Sequence, residues 1–202
     1  MLNSISFKAN FIKNVYIQKD NFSNNPSPVE VSLVELNAKD KNDIDVLEDT
    51  NELWNNVKEE YSKYIFYDAY KENEGIKNPR ENVKKRHYYA ITTQTENYNI
   101  LEANKILGLA QFSEKEGRYN KLDWLQVNPT TSFTNTDSQQ RPYKGVGKIL
   151  LEHIKNVTEK SLEVSSSNKA IPFYQKQGFY PSGFSKNYLY YEKLSDCKDM
   201  LR

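Results

Sequence analysis

The chain has 202 residues, a net charge of +1, and a composition of 37% hydrophobic and 27% charged residues. These values fit one globular domain, alone or with an appendage. A protein that binds nucleic acid by neutralising phosphates is usually more basic, so we expect no nucleic-acid partner.

A single cysteine, Cys197, excludes a disulfide within the chain and fits a reducing cytoplasm. The two histidines, His87 and His153, show no metal-ligand spacing, so we expect no metal. No segment approaches the roughly 20 apolar residues of a membrane span, and residues 1–15 lack the apolar core of a signal peptide. We therefore expect a cytoplasmic protein with no membrane partner, either a monomer or a homodimer.

The first 28 residues are rich in Asn and Lys and end in a Pro-Ser-Pro sequence, which marks a boundary. We interpret residues 1–28 as an N-terminal appendage and residues 29–202 as the main domain. The appendage is expected to be a hairpin or short helix docked on that domain, or a disordered arm.

The first half of the main domain carries alternating and helical patterns in turn. Val29 to Leu36 alternates as a strand does, and apolar residues from Ile44 to Ile65 recur at intervals that predict one long helix or two consecutive ones. A polar, basic loop at 77–86 follows. Three further strands, separated by Asn- and Gly-containing loops, are predicted as an antiparallel meander over 87–93, 105–112 and 122–127.

The second half begins with a loop at 129–141 that has no periodicity. An amphipathic helix then starts at Gly145-Val146-Gly147, with Val146, Ile149, Leu150, Ile154 and Val157 in one apolar stripe. A short strand at 162–164, a short helix at 169–177 and a strand at 188–194 complete the pattern. The order of elements predicts an α/β (α+β) fold, a sheet with helices on both faces.

The glycine-containing turn at Gly145-Val146-Gly147 is the strongest local signal of chemistry. Glycine lets the backbone approach a ligand, and the first N–H groups of a helix have no intrahelical partner. With the positive end of the helix dipole, they form a cradle suited to a pyrophosphate. Arg141, Lys144 and Lys148 add positive charge around it.

A second segment, Ala170-Ile171-Pro172-Phe173-Tyr174 followed by Gly178-Phe179, lies about twenty residues further on. Together the two segments resemble the GNAT superfamily of acetyltransferases. The first matches its Q/R-x-x-G-x-G/A pyrophosphate loop, and the second its A-I-x-F-Y-x-x-x-G-F helix. The resemblance covers residues 105–194. It implies a mixed central sheet flanked by helices, and acetyl-CoA as cosubstrate for direct acetyl transfer to a primary amine.

The resemblance also implies a role for particular residues. Contacts to the cofactor are expected from Gln126, Val127, Arg141, Lys144, Gly145, Val146, Gly147, Lys148, and Ser167 or Asn168. Tyr174 occupies the position of a general acid that protonates the coenzyme A thiolate; a core aromatic is the alternative.

Three departures from the family pattern leave parts of the site open. Pro142 stands where Gln or Arg is usual, with Arg141 next to it. The loop at 129–141 is longer than usual, and we expect either a mobile lid over the acceptor or a passive insertion. Lys121 stands where carboxylate-using members have Glu. Asp123 lies on the same strand face as Lys121, either as the general base or as a surface carboxylate.

The acceptor is not specified by the sequence. An acidic first helix suits a small cationic amine, such as a polyamine, an aminoglycoside-like amine or an amino acid derivative, and a protein amino group is also possible. A non-catalytic module that binds coenzyme A or a partner protein is the alternative. An enzyme acetylating aminoacyl-tRNA through the basic segment at 77–86 fits the charge of +1 poorly.

Overall fold

A nine-stranded mixed sheet with four α-helices makes up the part of the chain that the structure, a computed structural model, describes: residues 9–19, 26–57, 63–76, 82–129 and 142–193. In chain order the elements are β1 (Asn10–Lys19), β2 (Ser27–Leu36), α1 (Lys41–Asn55), α2 (Lys63–Asn73), β3 (Val83–Thr92), β4 (Ile106–Lys115), β5 (Tyr119–Val127), β6 (Tyr143–Lys144), α3 (Val146–Val157), β7 (Ser161–Ser165), α4 (Ile171–Lys176), β8 (Tyr180–Pro181) and β9 (Tyr188–Tyr191). The mixed α/β fold expected from the sequence is confirmed.

The strands lie in the order β6-β1-β2-β3-β4-β5-β7-β9-β8. Every neighbouring pair is antiparallel except β5 and β7, which are parallel and are connected through α3. A parallel pair needs such a crossover, because the chain must return to the same end of the sheet. The antiparallel meander predicted for β3, β4 and β5 is confirmed.

Each face of the sheet carries its own hydrophobic core. On one face, α3 and α4 cover a core that includes Leu150, Ile154 and Leu122. On the other face, α1 and α2 cover a core that includes Trp54 and Ile65. Of the apolar stripe predicted for α3, Val146, Leu150 and Ile154 are buried, Ile149 is partly buried, and Val157, at the end of the helix, is exposed. None of the described helices is both long and apolar enough to cross a membrane.

The N-terminal region, expected to be a hairpin, a short helix or a disordered arm, contributes a strand. β1 pairs with β2 along its length, and its last two residues, Gln18 and Lys19, pair with β6. The boundary expected between residues 28 and 29 falls inside β2. Whether residues 1–28 act as a separate appendage stays a prediction, because residues 1–8 and 20–25 lie outside the described part.

The other elements differ from expectation mainly at their ends. The periodic segment after β2 forms two helices. Asp40 is the N-cap of α1, and its side chain accepts the backbone N–H of Asn42 at 2.9 Å. β3 begins at Val83, so the last residues of the expected polar loop belong to a strand. Residues 77–81, which are the first half of the basic segment at 77–86, lie outside the described ranges.

Candidate functional site

The end of β5 is the first component of the candidate site. Gln111 of β4 pairs with Trp124 and Phe112 pairs with Leu122, so Asp123 is an extra residue in β5, a β-bulge. On its other side, β5 pairs with β7 only as far as Leu122, whereas its pairing with β4 continues to Val127. Backbone groups at 123–127 that point towards β7 therefore have no strand partner there.

The turn before α3 is the second component. Gly145 has φ = 98°, a left-handed conformation that other residues rarely adopt, and it is the N-cap of α3. The first intrahelical bond runs from Ile149 N–H to the Gly145 carbonyl, which leaves the N–H groups of residues 146–148 outside the helical pattern. These N–H groups and the dipole of α3 form an anion-binding geometry.

Gly147 brings the components together. A Cβ at this position would lie 3.4 Å from Val127 Cγ2 and 3.7 Å from Phe173 Cζ. The end of β5, the first turn of α3 and the helix α4 thus converge on one glycine. The sequence segments singled out for their resemblance to a cofactor site are adjacent in space.

Gly108 of β4 is a residue whose role the sequence did not reveal. A Cβ there would lie 2.5 Å from Val146 Cγ1 and 3.0 Å from Leu150 Cδ1, so only glycine lets α3 lie this close to the sheet. An isolated glycine within an alternating strand was the available signal, since such a glycine often marks close approach of another element.

Tyr174 lies on α4 with its side chain buried between aromatic rings. Its ring packs edge-on against Phe173 at 5.1 Å and Phe179 at 5.5 Å between centroids. Burial raises the pKa of its hydroxyl well above the usual value. No hydrogen bond joins this hydroxyl to another described residue.

Asp123 is held in place by two neighbours. The hydroxyl of Ser113 donates to Asp123 Oδ2, and Lys121 Nζ lies 3.0 Å from Asp123 Oδ1. The Asp123 side chain is 12% exposed. Burial lowers the pKa of Lys121, but the charge and hydrogen bond of Asp123 outweigh burial, so the pKa of Lys121 is raised and the ion pair persists at neutral pH.

The two residues at the end of β5 point to opposite faces of the sheet. Val127 packs with the α3 core, opposite Gly108. Gln126 pairs with Leu109, and its Oε1 is buried and accepts no hydrogen bond from any described residue. Asn128 then ends the strand, donating its backbone N–H to the Leu107 carbonyl at 2.9 Å.

The loop after β7 is fixed by a residue that the sequence did not suggest. Asn187 Nδ2 donates to the Ser166 carbonyl at 2.8 Å and to Asn168 Oδ1 at 3.0 Å. Asn168 is thus engaged with the β8–β9 connection. Ser167 is exposed, and its carbonyl accepts the Ala170 N–H just before α4.

The basic residues expected around the turn are placed unequally. Lys144 and Lys148 are exposed, and Lys148 Nζ lies 3.6 Å from Glu152 on the next turn of α3. Lys144 and Tyr143 form β6, paired with the end of β1, so the N-terminal strand supports the approach to Gly145. Arg141 and the rest of the loop at 130–141 lie outside the described residues, as does Cys197.

Comparison with known proteins identifies a family. A model of the acetyltransferase (GNAT) domain matches residues 67–188. Similar solved structures include one assigned to the GNAT acetyltransferase family from Desulfovibrio desulfuricans, with 14% identity, a TM-score of 0.49, and coverage of 79% of this chain and 98% of that one.

Two further similar structures are complexes. AtaTR bound with acetyl-CoA has 18% identity and a TM-score of 0.43, with coverage of 65% of this chain and 77% of that one. The KacTA–DNA complex has 15% identity and a TM-score of 0.43, with coverage of 70% and 86%. No curated protein sequence matches the chain. The comparisons give no support to the expectation that nucleic acid is not a partner, which stays a prediction.

Proposed function

The chain belongs to the GNAT family of acetyltransferases, and from this premise we propose that it moves the acetyl group of acetyl-CoA to a primary amine by direct attack in a ternary complex. One observation carries the proposal: β5 separates from β7 beyond Leu122, and Gly147 of the α3 turn meets Val127 at that opening. Free backbone groups and an anion-binding helix terminus there suit a long ligand with a diphosphate.

The residues at this opening fit acetyl-CoA in both shape and charge. The N–H groups of Val146, Gly147 and Lys148 would hold the pyrophosphate, and the side chains of Lys144 and Lys148 add positive charge. The absence of a side chain at Gly147 keeps the surface between α3 and β5 open. Further along β5, main-chain groups of Gln126 and Val127 would bind the pantetheine arm and the acetyl carbonyl.

The reaction requires two proton transfers. The acceptor ammonium must first lose a proton, and Asp123 is the carboxylate beside the β5 bulge that can take it. The amine then attacks the thioester carbon, so that a C–N bond forms and the C–S bond breaks. Positioning of the two substrates supplies much of the remaining acceleration.

Tyr174 is the proposed source of the proton that the departing thiolate takes up. Its raised pKa keeps the hydroxyl protonated at neutral pH. Burial of a thiolate in the same region raises the pKa of the thiol as well, which favours transfer from phenol to sulfur. The hydroxyl has no partner among the described residues, so it is available to a ligand.

One observation favours the alternative of a coenzyme A-binding module without catalysis. Lys121 stands where carboxylate-using family members carry Glu, and its ion pair occupies one oxygen of Asp123. That oxygen is therefore engaged with a cation of the chain itself and is not open to an acceptor ammonium.

A turnover assay with matched variants tests the proposal. The protein is incubated with acetyl-CoA and a panel of amines, and free thiol and N-acetyl product are measured together. We expect equimolar thiol and product for at least one amine, and a strong decrease for Asp123→Asn. Coenzyme A binding without turnover of any amine supports the non-catalytic module, and absence of coenzyme A binding contradicts both functions.

A further inference from the structure

A cavity of about 400 Å³ lies beside Asp123, between α2 and the strands β3, β4 and β5. Charged side chains of both signs form much of its wall: Asp68, Arg86, Lys115, Lys121 and Asp123. Its volume is at the lower end of the range for small-molecule sites. The cavity opens beside the β5 bulge, so it is where an acceptor would meet the proposed acetyl group.

Neutral donors orient the two carboxylates of this wall. Gln111 Nε2 donates to Asp68 Oδ2 at 2.9 Å, and Ser113 donates to Asp123. A carboxylate accepts about four hydrogen bonds, so each retains capacity for a ligand. Gln111 and Ser113 are themselves fully buried in β4, which fixes the positions of both acids.

Charge balance in the wall constrains what can enter. Among the described residues that line the cavity, three cations face two carboxylates, and Lys115 is paired with Glu163 at 3.2 Å, so these charges balance when Glu163 is counted. An ammonium that binds Asp123 beside Lys121 adds a second cation to the same carboxylate and weakens its pairing with Lys121. Lys121 is only 33% exposed, and leaving such a cation without its partner is costly.

An acceptor that carries its own acid group removes this cost. Its ammonium pairs with Asp123 while its carboxylate pairs with Lys121, so one ion pair is replaced by a group of four alternating charges. Lys121 Nζ and Asp123 Oδ1 lie 3.0 Å apart, so the two ligand groups must be equally close to each other. That distance matches an amine and an acid on the same carbon atom or on adjacent ones, which hold it without folding a longer chain.

We propose that the acceptor is a free amino acid, bound through its amino group at Asp123 and its carboxylate at Lys121. The inference rests on the proposed acetyl transfer and specifies its acceptor. It distinguishes a free amino acid from a polyamine, which has no acid group, and from a peptide or aminoacyl ester, whose amine lies beside an amide or ester.

The uncharged wall of the cavity indicates the kind of side chain. Tyr64 and Trp124 stack with ring centroids 4.7 Å apart and an interplanar angle of 7°, and both line the cavity. The Tyr64 side chain is 42% exposed. Aromatic faces of this kind favour an apolar or aromatic amino acid over a small polar one.

Matched acceptors that differ only in the carboxylate test the inference. Phenylalanine is compared with phenethylamine, and tryptophan with tryptamine, by kcat/KM for the N-acetyl product. We expect at least tenfold preference for the amino acid. Lys121→Met should abolish that preference, Lys121→Arg should restore it, and Lys105→Met, which alters an exposed ion pair outside the cavity, should leave it unchanged.

The outcomes separate this inference from the proposed function. Acetylation of the amines at rates equal to or above those of the amino acids contradicts the amino acid acceptor and leaves acetyl transfer intact. If neither class is acetylated, calorimetry of phenylalanine with wild type and Lys121→Met decides. Binding that Lys121→Met abolishes supports the inference, and equal or absent binding overturns it.

Discussion

The two halves of strand β5 differ in how completely their polar groups are satisfied. The first half, Tyr119–Leu122, pairs on both sides, with β4 and with β7. The second half, from Asp123 to Val127, pairs with β4 but not with β7. The first half contributes to the stability of the fold through strand pairing on both sides, and the second half leaves backbone hydrogen-bonding groups on one side for a ligand.

The first half, Tyr119–Leu122, is the closed half, and one carboxylate connects it to neighbouring elements by hydrogen bonds. Glu192 accepts hydrogen bonds from Arg118, Tyr119, Ser161 and Tyr180 at distances between 2.7 and 3.1 Å. The second half, from Asp123 to Val127, is the open half, and there the Gln126 side-chain oxygen is buried and has no hydrogen-bond partner among the described residues. A buried polar atom without a partner costs stability, and a ligand bound at the open half would supply one.

The largest effect on ligand binding is expected from Gly147→Glu in the open half. A carboxylate at the point where Val127 and Phe173 meet the α3 turn would repel the pyrophosphate and occupy its space. We expect coenzyme A binding to fall by more than about a hundredfold, which corresponds to roughly 2.7 kcal/mol. Isothermal titration calorimetry measures the affinity, and circular dichroism checks that the fold is kept.

Gly183→Glu is the matched control, because a side chain there meets open space. It adds the same charge away from the turn and should bind coenzyme A as wild type does. Unchanged affinity for Gly147→Glu would contradict the cofactor-site assignment.

The same substitution, tyrosine to phenylalanine, can be made at the proposed site and in the closed half, and the two variants can be compared. Tyr174→Phe keeps the ring packing and removes the proposed acid, so we expect kcat to fall by about a hundredfold to ten-thousandfold with little change in melting temperature. Tyr119→Phe removes only a hydrogen bond to Glu192 and should leave kcat unchanged. Steady-state kinetics and thermal melts on both variants give the answer, and full kcat in Tyr174→Phe would make Tyr174 a structural residue.

The sequence predicted those parts of this comparison that depend on local pattern. The strand at Leu122 to Val127, the glycine turn and the α3 stripe follow from alternation, backbone freedom and helical periodicity. The sequence left β1 open between a hairpin, a short helix and a disordered arm, because its apolar residues do not alternate cleanly: Phe11 and Tyr16 are 41% and 66% exposed.

Other features depend on pairing between distant segments and have no local signal. The bulge at Asp123 exists only in the register of β5 against β4, and the hydrogen bond from Ser113 depends on that register. Likewise, the approach of Val146 to Gly108 requires that α3 already lies on β4. Sequence reasoning found the candidate residues of the site but not the contacts that orient them.

In the closed half, Glu192→Ala should affect stability and not activity. Four donors lose their acceptor, and Ser161 is fully buried. We expect a loss of about 1–3 kcal/mol in the free energy of unfolding, seen as a melting temperature lower by roughly 3–9 °C for a chain of this size. Acetyl transfer by the folded variant should stay within about twofold of wild type. A large loss of kcat would mean that the two halves of β5 are coupled.

The smallest expected effect is a pH dependence at the same carboxylate. Desolvation raises the pKa of Glu192, but hydrogen bonds from Tyr180, Tyr119, Ser161 and Arg118 outweigh it, so the pKa lies below its ordinary value of 4.5. A carboxylate with a depressed pKa in the folded state stabilises the protein above its unfolded pKa, and this contribution is lost as pH falls through the folded pKa. Glu192→Gln cannot ionise, so its melting temperature should lie below that of wild type at pH 7 and approach it as the pH falls below about 4.5. Glu116→Gln removes an exposed carboxylate between β4 and β5 that takes no part in these hydrogen bonds, and it is the matched control. If the Glu192→Gln curve stays parallel to that of wild type, ionisation of Glu192 does not contribute to the stability of the closed half.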